Sequence, residues 1–193
     1  MAVKHLFITG MPGSGKSTFL IRELGDLLPF AAGYGTVRML DRSGNLTGFF
    51  HVKASEYFFV NTPERTAGAE SFLIPGKDRV FRPEIFRKQT IPLMESAGKF
   101  VFIDEVGGKE LADPVMLQEY RKVLYGNRPG IWVLKSPLHA RSFDREAYAG
   151  FRKLIEETPD VLILEYSKEN EGLLKNYLQK WRGENGLENV GTV

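Results

Sequence analysis

One glycine-rich segment, residues 10–17, constrains the fold of this chain more strongly than any other part of its sequence. Its letters, GMPGSGKS, match the pattern G-x-x-x-x-G-K-[ST]. The apolar residues 6–8 lead into it, and apolar residues follow it at helical spacing as far as Leu24. A strand, a glycine-rich turn and a helix in this order predict a P-loop, in which backbone N–H groups surround a phosphate.

The residue types within the loop predict the ligand that it binds. Glycines let the backbone approach a phosphate without obstruction by a Cβ atom. The Lys16 ammonium adds a positive charge at the β- and γ-phosphates, and the Ser17 hydroxyl is suited to ligate Mg²⁺. We therefore expect a nucleoside triphosphate with Mg²⁺, and the predicted nucleotide-binding residues are Gly10, Pro12, Gly13, Ser14, Gly15, Lys16, Ser17 and Thr18.

Composition narrows the class of protein and its partners. At 193 residues we expect a single domain over residues 1–182 and a mobile tail over residues 183–193. The 26 basic and 24 acidic residues are interspersed, which disfavours direct binding of nucleic acid. The chain has no cysteine, so disulfides and thiolate metal sites are excluded. We find neither a secretory signal nor an apolar run of about 18 residues, so we expect no membrane contact and a cytoplasmic location.

The spacing of apolar residues predicts an α/β fold, in which helices cover both faces of a mostly parallel central sheet. Strands are expected near residues 3–9, 100–104, 131–135 and 161–165, and helices near residues 16–28, 114–125, 144–157 and 169–182. The glycine-rich residues 33–82 predict a β-rich insertion with a hairpin turn at residues 42–45. A further helix is expected from Pro83 toward Gly98, kinked or broken at Pro92.

An acidic pair follows a second apolar strand. Residues 99–105 read KFVFIDE, so Asp104 and Glu105 are expected at the carboxyl edge of the sheet, where the P-loop also lies. An Asp at this place is suited to hold Mg²⁺ through water beside Ser17. The Glu that follows is suited to orient a water toward the γ-phosphorus. The pair predicts the Walker B motif of an ATPase-like P-loop protein, with Lys16 and Glu105 as its catalytic residues.

At this point the chain resembles a known family, the small P-loop nucleoside-triphosphatases of the thermophilic-bacterial and human cancer-related type. Residues 103–111, IDEVGGKEL, are close to the family's Ile-Asp-Glu-Ile-Gly-Lys-Met-Glu-Leu. Residues 33–38, GYGTVR, are similar to its Gly-Phe-x-Thr…Val-Arg segment, and residues 167–170, SKEN, to its Thr-x-x-Asn-Arg motif. Gly108 and Glu171 depart from the pattern, which has Lys and Arg there. The resemblance implies a RecA-like, three-layer fold of the ASCE branch and Mg²⁺-dependent hydrolysis of nucleoside triphosphates.

Five residues outside the two main motifs are candidates for contact with phosphate or base: Arg38, Gly107, Lys109, Ser136 and Asn170. An arginine beside the γ-phosphate accelerates hydrolysis, and Arg38 is preferred for this role over Arg42, Arg141 and Arg145 because the family resemblance includes it. The other four candidates are a glycine after the acidic pair, a loop lysine, a polar residue after a strand and the residue matching the family's Asn.

The motifs together predict an enzyme that hydrolyses ATP, GTP and other nucleoside triphosphates to the diphosphate and phosphate, slowly and with broad base specificity. One alternative is a small-molecule or nucleotide kinase, in which Asp104 serves the acceptor hydroxyl and the insertion at residues 33–82 holds the acceptor. A second alternative is a nucleotide-dependent switch or a nucleic-acid-associated ATPase. The sequence assigns neither protein partners nor an oligomeric state.

Overall fold

One sheet of eight strands organises the part of the chain that the computed structural model describes, which is residues 2–59, 68–77, 79–136 and 145–190. The strands are β1 (His5–Thr9), β2 (Ala31–Leu40), β3 (Leu46–Lys53), β4 (Leu73–Ile74), β5 (Val80–Phe81), β6 (Phe100–Val106), β7 (Gly130–Leu134) and β8 (Val161–Glu165). Their order across the sheet is β5-β4-β3-β2-β6-β7-β1-β8. The pairs from β2 to β8 in that order are parallel.

Helices cover both faces of this sheet: α1 (Lys16–Glu23), α2 (Pro83–Glu95), α3 (Pro114–Tyr125), α4 (Arg145–Glu157) and α5 (Glu171–Glu184). Alternate residues of each central strand pack on opposite faces, as the two-residue repeat of a strand requires. In β1, Leu6 and Ile8 join a core with α1 and α5, whereas Phe7 joins a core with α2, α3 and α4. The predicted three-layer α/β fold with a mostly parallel sheet is thereby confirmed.

The position of β7 determines how the two main motifs meet. It lies between β1, which leads into the P-loop, and β6, which carries the acidic pair. Because parallel strands end at the same edge, the P-loop and the acidic pair both lie at the carboxyl edge of the sheet. The position of β7 between these two strands was not predicted from the sequence and follows only from the strand order.

The β-rich segment at residues 33–82 lies between the first helix and the rest of the chain, as predicted, and its strands extend the main sheet. Strand β2 pairs in parallel with β6 through residues 31–34 and then continues past it. Strands β3, β4 and β5 add to it in antiparallel order. The predicted hairpin is present, and Asp41 closes its turn by accepting hydrogen bonds from the backbone N–H groups of Ser43 and Asn45.

Two predicted helices have different limits in the structure. The first helix ends at Glu23 instead of residue 28, because Gly25 and Pro29 do not favour a continued α-helix. Helix α2 runs without interruption through Pro92 to Glu95, so the predicted break is absent.

The chain beyond residue 182 also differs from the expected tail. Helix α5 reaches Glu184, and Leu187 is buried beside Trp181 in the core of that face, where an apolar side chain is stabilised. Residues 191–193 lie outside the described part of the chain. No helix in the described residues is long and apolar enough to cross a membrane.

His5 at the start of β1 gives the fold a defined pH dependence. Its Nε2 donates a hydrogen bond to the Leu124 carbonyl at 2.9 Å, and its Nδ1 accepts one from the Trp132 indole at 3.2 Å. Burial, together with the charge of Lys4, lowers the pKa of His5 to about 4. In the unfolded chain the pKa of His5 is about 6.5. Between pH 4 and 6.5 His5 is therefore protonated more often in the unfolded chain than in the folded one, so its contribution to the free energy of unfolding falls as the pH falls.

We expect His5 alone to make the protein about 2 kcal/mol less stable at pH 5 than at pH 7. The measurement is urea unfolding at both pH values for the parent and for His5→Asn, which does not titrate. Other titrating groups act equally on both proteins, so the difference between them isolates His5. An equal loss of stability in parent and variant would contradict the assignment.

Candidate active site

The P-loop itself is shaped by backbone that passes close to other chain segments. Gly10 has φ 144°, and a Cβ atom added there would lie 2.8 Å from the Tyr166 carbonyl oxygen. Only glycine meets both conditions without displacing the neighbouring strand. Helix α1 begins at Lys16, so its first N–H groups and the positive end of its dipole face the loop. The loop is therefore built to receive an anion.

The side chain of Lys16 lies across the loop. Its Nζ donates to the carbonyl oxygens of Gly10 at 2.8 Å and Met11 at 2.6 Å. Burial lowers the pKa of Lys16, and the negative charges of Asp104 and Glu105 oppose that shift. The ammonium thus lies against the loop backbone, and its contact with the β- and γ-phosphates stays a prediction.

Ser17 and Asp104 meet across the strand that separates their motifs. Ser17 Oγ donates to Asp104 Oδ1 at 2.9 Å, and Asp104 is 3% exposed. A hydroxyl and a carboxylate are oxygen ligands of the kind that Mg²⁺ accepts, and Mg²⁺ fills its other positions with phosphate oxygens and water. The described residues contain no cluster of three or more His, Asp or Glu side chains suited to a metal. The pair Ser17–Asp104 therefore fits Mg²⁺ bound together with a nucleotide.

One further side chain and one backbone N–H group hold the Asp104 carboxylate in place. Tyr57 Oη donates to Oδ2 at 2.5 Å, and the Thr36 backbone N–H donates to the same oxygen at 3.3 Å. Burial and the neighbouring charge of Glu105 raise the pKa of Asp104 to about 6, against the effect of these hydrogen bonds. A Cβ atom at Gly35 would lie 2.3 Å from the Tyr57 ring, so glycine is needed there for Tyr57 to cross β2.

Tyr57 was not identified as a site residue from the sequence. The available signal is the glycine at position 35 in a strand, since such a glycine often marks the close approach of another group. The identity of that group depends on the tertiary structure.

Glu105 adopts a backbone conformation that is unusual for its residue type. Its φ is 71°, and the β6–β7 register shifts between Ile103 and Val106, so that β6 contains one extra residue. A bulge of this kind redirects a side chain, and strained backbone is frequent at functional sites. Asp104 is consequently buried, whereas the adjacent Glu105 is exposed at the cleft beside the P-loop.

The loop after the acidic pair is held by a buried acid. Glu110 is 4% exposed, and its Oε1 accepts hydrogen bonds from the backbone N–H groups of Gly107 at 2.8 Å and Gly108 at 2.7 Å. Lys109 faces the cleft and donates to the Arg79 carbonyl oxygen at 3.2 Å. The predicted Gly107 contact would therefore compete with Glu110 for the same N–H group.

The structure brings most of the remaining candidates to one cleft of about 1140 Å³, which extends from the P-loop to the β2–β5 part of the sheet. Arg38 is exposed at its wall, and Ser136 is buried at its edge after β7. Among the other arginines, Arg42 lies in the hairpin turn and Arg145 at the start of α4, and neither lines the cleft. Arg141 lies outside the described residues.

Asn170 is placed apart from this cleft, after β8. Its Oδ1 accepts from the Ser167 N–H at 2.8 Å, and its Nδ2 donates to the Glu165 carbonyl at 2.7 Å. Both polar atoms of the side chain thus bind the local backbone as the cap of a short helical turn. A contact between Asn170 and a base stays a prediction.

Comparison with known proteins agrees with the assembled geometry. The family model described as NTPase matches residues 5–178. The chain belongs to the NTPase family. Two solved structures are similar in fold to this chain: THEP1 from the hyperthermophile Aquifex aeolicus, and a human cancer-related nucleoside triphosphatase. No curated protein matches the chain.

The two solved structures resemble this chain in fold at low sequence identity. THEP1 is 19% identical with a TM-score of 0.57, and the match covers 90% of this chain and 96% of THEP1. The human protein is 21% identical with a TM-score of 0.61, and the match covers 91% of this chain and 95% of the human protein. At these sequence identities the two structures support the fold alone. Membership of the family rests on the match of the sequence to the family model.

Glu171 and Gly108, the two residues that depart from the family pattern, have different local environments. Glu171 accepts a hydrogen bond from Tyr166 Oη at 2.6 Å and forms an ion pair with Arg22 at 2.9 Å, which ties α5 to α1. A Cβ atom at Gly108 would lie 2.7 Å from Glu110 Oε2 and 2.8 Å from Lys135 Nζ. An ammonium therefore reaches this point from the end of β7, and sequence reasoning did not identify Lys135.

Proposed function

We propose that this NTPase-family chain hydrolyses ATP, GTP and other nucleoside triphosphates to the diphosphate and phosphate, in a slow, Mg²⁺-dependent reaction. The observation that carries the proposal is the arrangement of Ser17, Asp104 and Glu105 beside the P-loop. The hydroxyl and the buried carboxylate are 2.9 Å apart, and the next residue faces the cleft through a backbone bulge. The pair Ser17–Asp104 would bind the metal that accompanies the nucleotide, and the exposed Glu105 carboxylate would bind the attacking water.

Each residue has a defined part in this reaction. The P-loop N–H groups and Lys16 bind the phosphates and stabilise the charge that develops as the β–γ bond breaks. Ser17, and Asp104 through water, would hold Mg²⁺, which neutralises charge on the phosphates when it is bound. Glu105 positions the water and accepts its proton. We also propose that Arg38 and Ser136 contact the γ-phosphate end, since both line the same cleft.

We also propose broad base specificity, further contacts near the phosphates and a location in the cytoplasm. The side-chain amide of Asn170 is occupied by local hydrogen bonds, which supports weak discrimination between bases at that residue. Gly107 and Lys109 are proposed as further contacts near the phosphates because they line the cleft. The proposed location is cytoplasmic, as expected from the sequence.

The test is phosphate release from ATP, GTP, CTP and UTP, each with Mg²⁺ and with excess EDTA. We expect release from all four with Mg²⁺, at rates within about tenfold of each other, and loss of release with EDTA. Release from none of the four, or equal release with EDTA, would overturn the proposal. Strong preference for one base would overturn the broad specificity.

A further inference from the structure

The cleft continues past the P-loop along the sheet. Its volume of about 1140 Å³ exceeds the roughly 300–1,000 Å³ of pockets that hold one small ligand. The part remote from the P-loop, here called the aromatic chamber, is lined by Phe49, His51, Phe72, Leu73, Phe81 and Phe86. Strands β3, β4 and β5 and helix α2 contribute these side chains. Flat aromatic walls of this kind favour a planar ligand.

One polar side chain, a buried imidazole, lines the aromatic chamber. His51 is 8% exposed, and its ring packs against Phe72 with a centroid distance of 4.2 Å and against Tyr34 at 4.3 Å. Its Nδ1 atom is buried and has no hydrogen-bond partner in the described part of the chain. Burial holds the pKa of His51 well below its usual value, so the ring is neutral and offers one donor and one acceptor. Such an unpaired group lowers stability unless a ligand satisfies it.

The aromatic chamber adjoins the γ-phosphate end of the predicted triphosphate site. Thr36 contacts Asp104 through two hydrogen bonds, at 3.3 and 3.1 Å. His51 is the antiparallel partner of Thr36 in the β2–β3 pair, so the two side chains share one face and are neighbours. The Asp104 carboxylate itself lies on the opposite face, with Ser17 and Tyr57, so the two sites are joined only through the one cleft that Asp104 and His51 both line.

The charges around the cleft favour an uncharged occupant of the chamber. With Lys16 assigned to the triphosphate, the other charged side chains that line the cleft are Asp104, Glu105, Glu110, Arg38, Arg79, Lys109 and Lys135. Three acids against four bases leave little net attraction for a further anion. Glu105 stands at the γ-phosphate end, where a second anion would be repelled.

We infer that the aromatic chamber is a second substrate site for a nucleoside, whose base lies among the aromatic side chains and pairs with His51. A nucleoside supplies a flat ring with donors and acceptors at its edge, and a hydroxyl-bearing sugar without charge. This inference rests on the proposed function, because it requires a triphosphate on the P-loop with its γ-phosphate toward Glu105. Hydrolysis then occurs at the same γ-phosphate when water takes the place of the nucleoside hydroxyl.

The second substrate changes the acceptor and leaves the rest of the reaction unaltered. A sugar hydroxyl oxygen bonds to the γ-phosphorus as the bond from that phosphorus to the β,γ-bridging oxygen breaks. The hydroxyl proton passes to the Glu105 carboxylate, and the nucleoside diphosphate leaves. The products are a nucleoside monophosphate and a nucleoside diphosphate.

The test offers adenosine, guanosine, cytidine and uridine separately to the full chain with Mg²⁺ and γ-labelled ATP. We expect at least one labelled nucleoside monophosphate. Ribose and the free bases are expected to give no labelled product, and the corresponding unlabelled monophosphate to bind at least about tenfold more weakly than the nucleoside. Absence of any labelled monophosphate overturns the inference. Phosphate release from ATP alone, measured in the same samples, reports on the proposed hydrolysis separately.

Two pairs of variants test the location of the site. His51→Phe should raise the KM for the nucleoside at least tenfold and raise Tm by about 2–4 °C, because it removes an unpaired polar atom. His51→Gln, which keeps a donor and an acceptor, should retain a KM within a few-fold of the parent. Phe49→Leu should raise the same KM, whereas Phe50→Leu, on the opposite face of β3 with Val37, should not. An unchanged KM in His51→Phe overturns the inference.

Discussion

Glu105→Gln should slow hydrolysis at least about 100-fold while Mg²⁺-nucleotide affinity stays within a few-fold of the parent. The amide has the shape of the carboxylate but cannot accept the proton of the attacking water. Glu105 is exposed at the cleft and makes no contribution to the core, so the variant should fold as the parent does. Single-turnover phosphate release and nucleotide titration separate the two effects.

Glu84→Gln is a matched control for this variant. Glu84 is exposed in the first turn of α2 and does not line the cleft, so its change should leave both quantities as they are. A Glu105→Gln protein that hydrolyses at the parent rate would show that another group positions the water. Weak nucleotide binding by the same variant would instead place Glu105 in ligand binding.

Lys16→Ala should abolish nucleotide binding or turnover. The ammonium is the one charged side chain that the P-loop carries, and its loss removes charge stabilisation both in the complex and as the β–γ bond breaks. Its hydrogen bonds to the Gly10 and Met11 carbonyls lie in a partly exposed loop, so the fold should persist. Nucleotide titration, phosphate release and thermal unfolding together check these expectations.

Lys99→Ala is the corresponding control, since Lys99 is exposed just before β6 at the amino edge of the sheet, opposite to the site. Its activity should equal that of the parent. If Lys16→Ala retains nucleotide binding and turnover, the assignment of the P-loop as the triphosphate site is wrong.

Local sequence patterns were sufficient to predict many of the helices and strands. The helix at Pro114–Tyr125 and the strand at Val161–Glu165 agree with the prediction to the residue, because each has a clear apolar period and defined ends. The P-loop and the acidic pair were likewise found from neighbouring residues alone. At Pro92 a kink or a break was expected, and helix α2 continues through this residue without a break.

The surroundings of Asp104 show where sequence reasoning ends. Tyr57 and Asp104 are 47 positions apart, and Thr36 and Asp104 are 68 positions apart, yet all three meet at one carboxylate. No periodic pattern in the sequence indicates that residues so far apart in the chain are in contact. The antiparallel strands β3 to β5 likewise join the sheet edge through pairings that no local pattern specifies, and they create the aromatic chamber with His51.

The sequence by itself determined the P-loop, the acidic pair, the α/β class and the family, because these depend on residues adjacent in the chain and on regular spacing. The tertiary structure alone decided that β7 separates the two motifs and that a bulge buries Asp104 while exposing Glu105. It also decided that a cleft continues past them to the buried His51 imidazole. These features arise from strand order and register, which form only when distant segments pair.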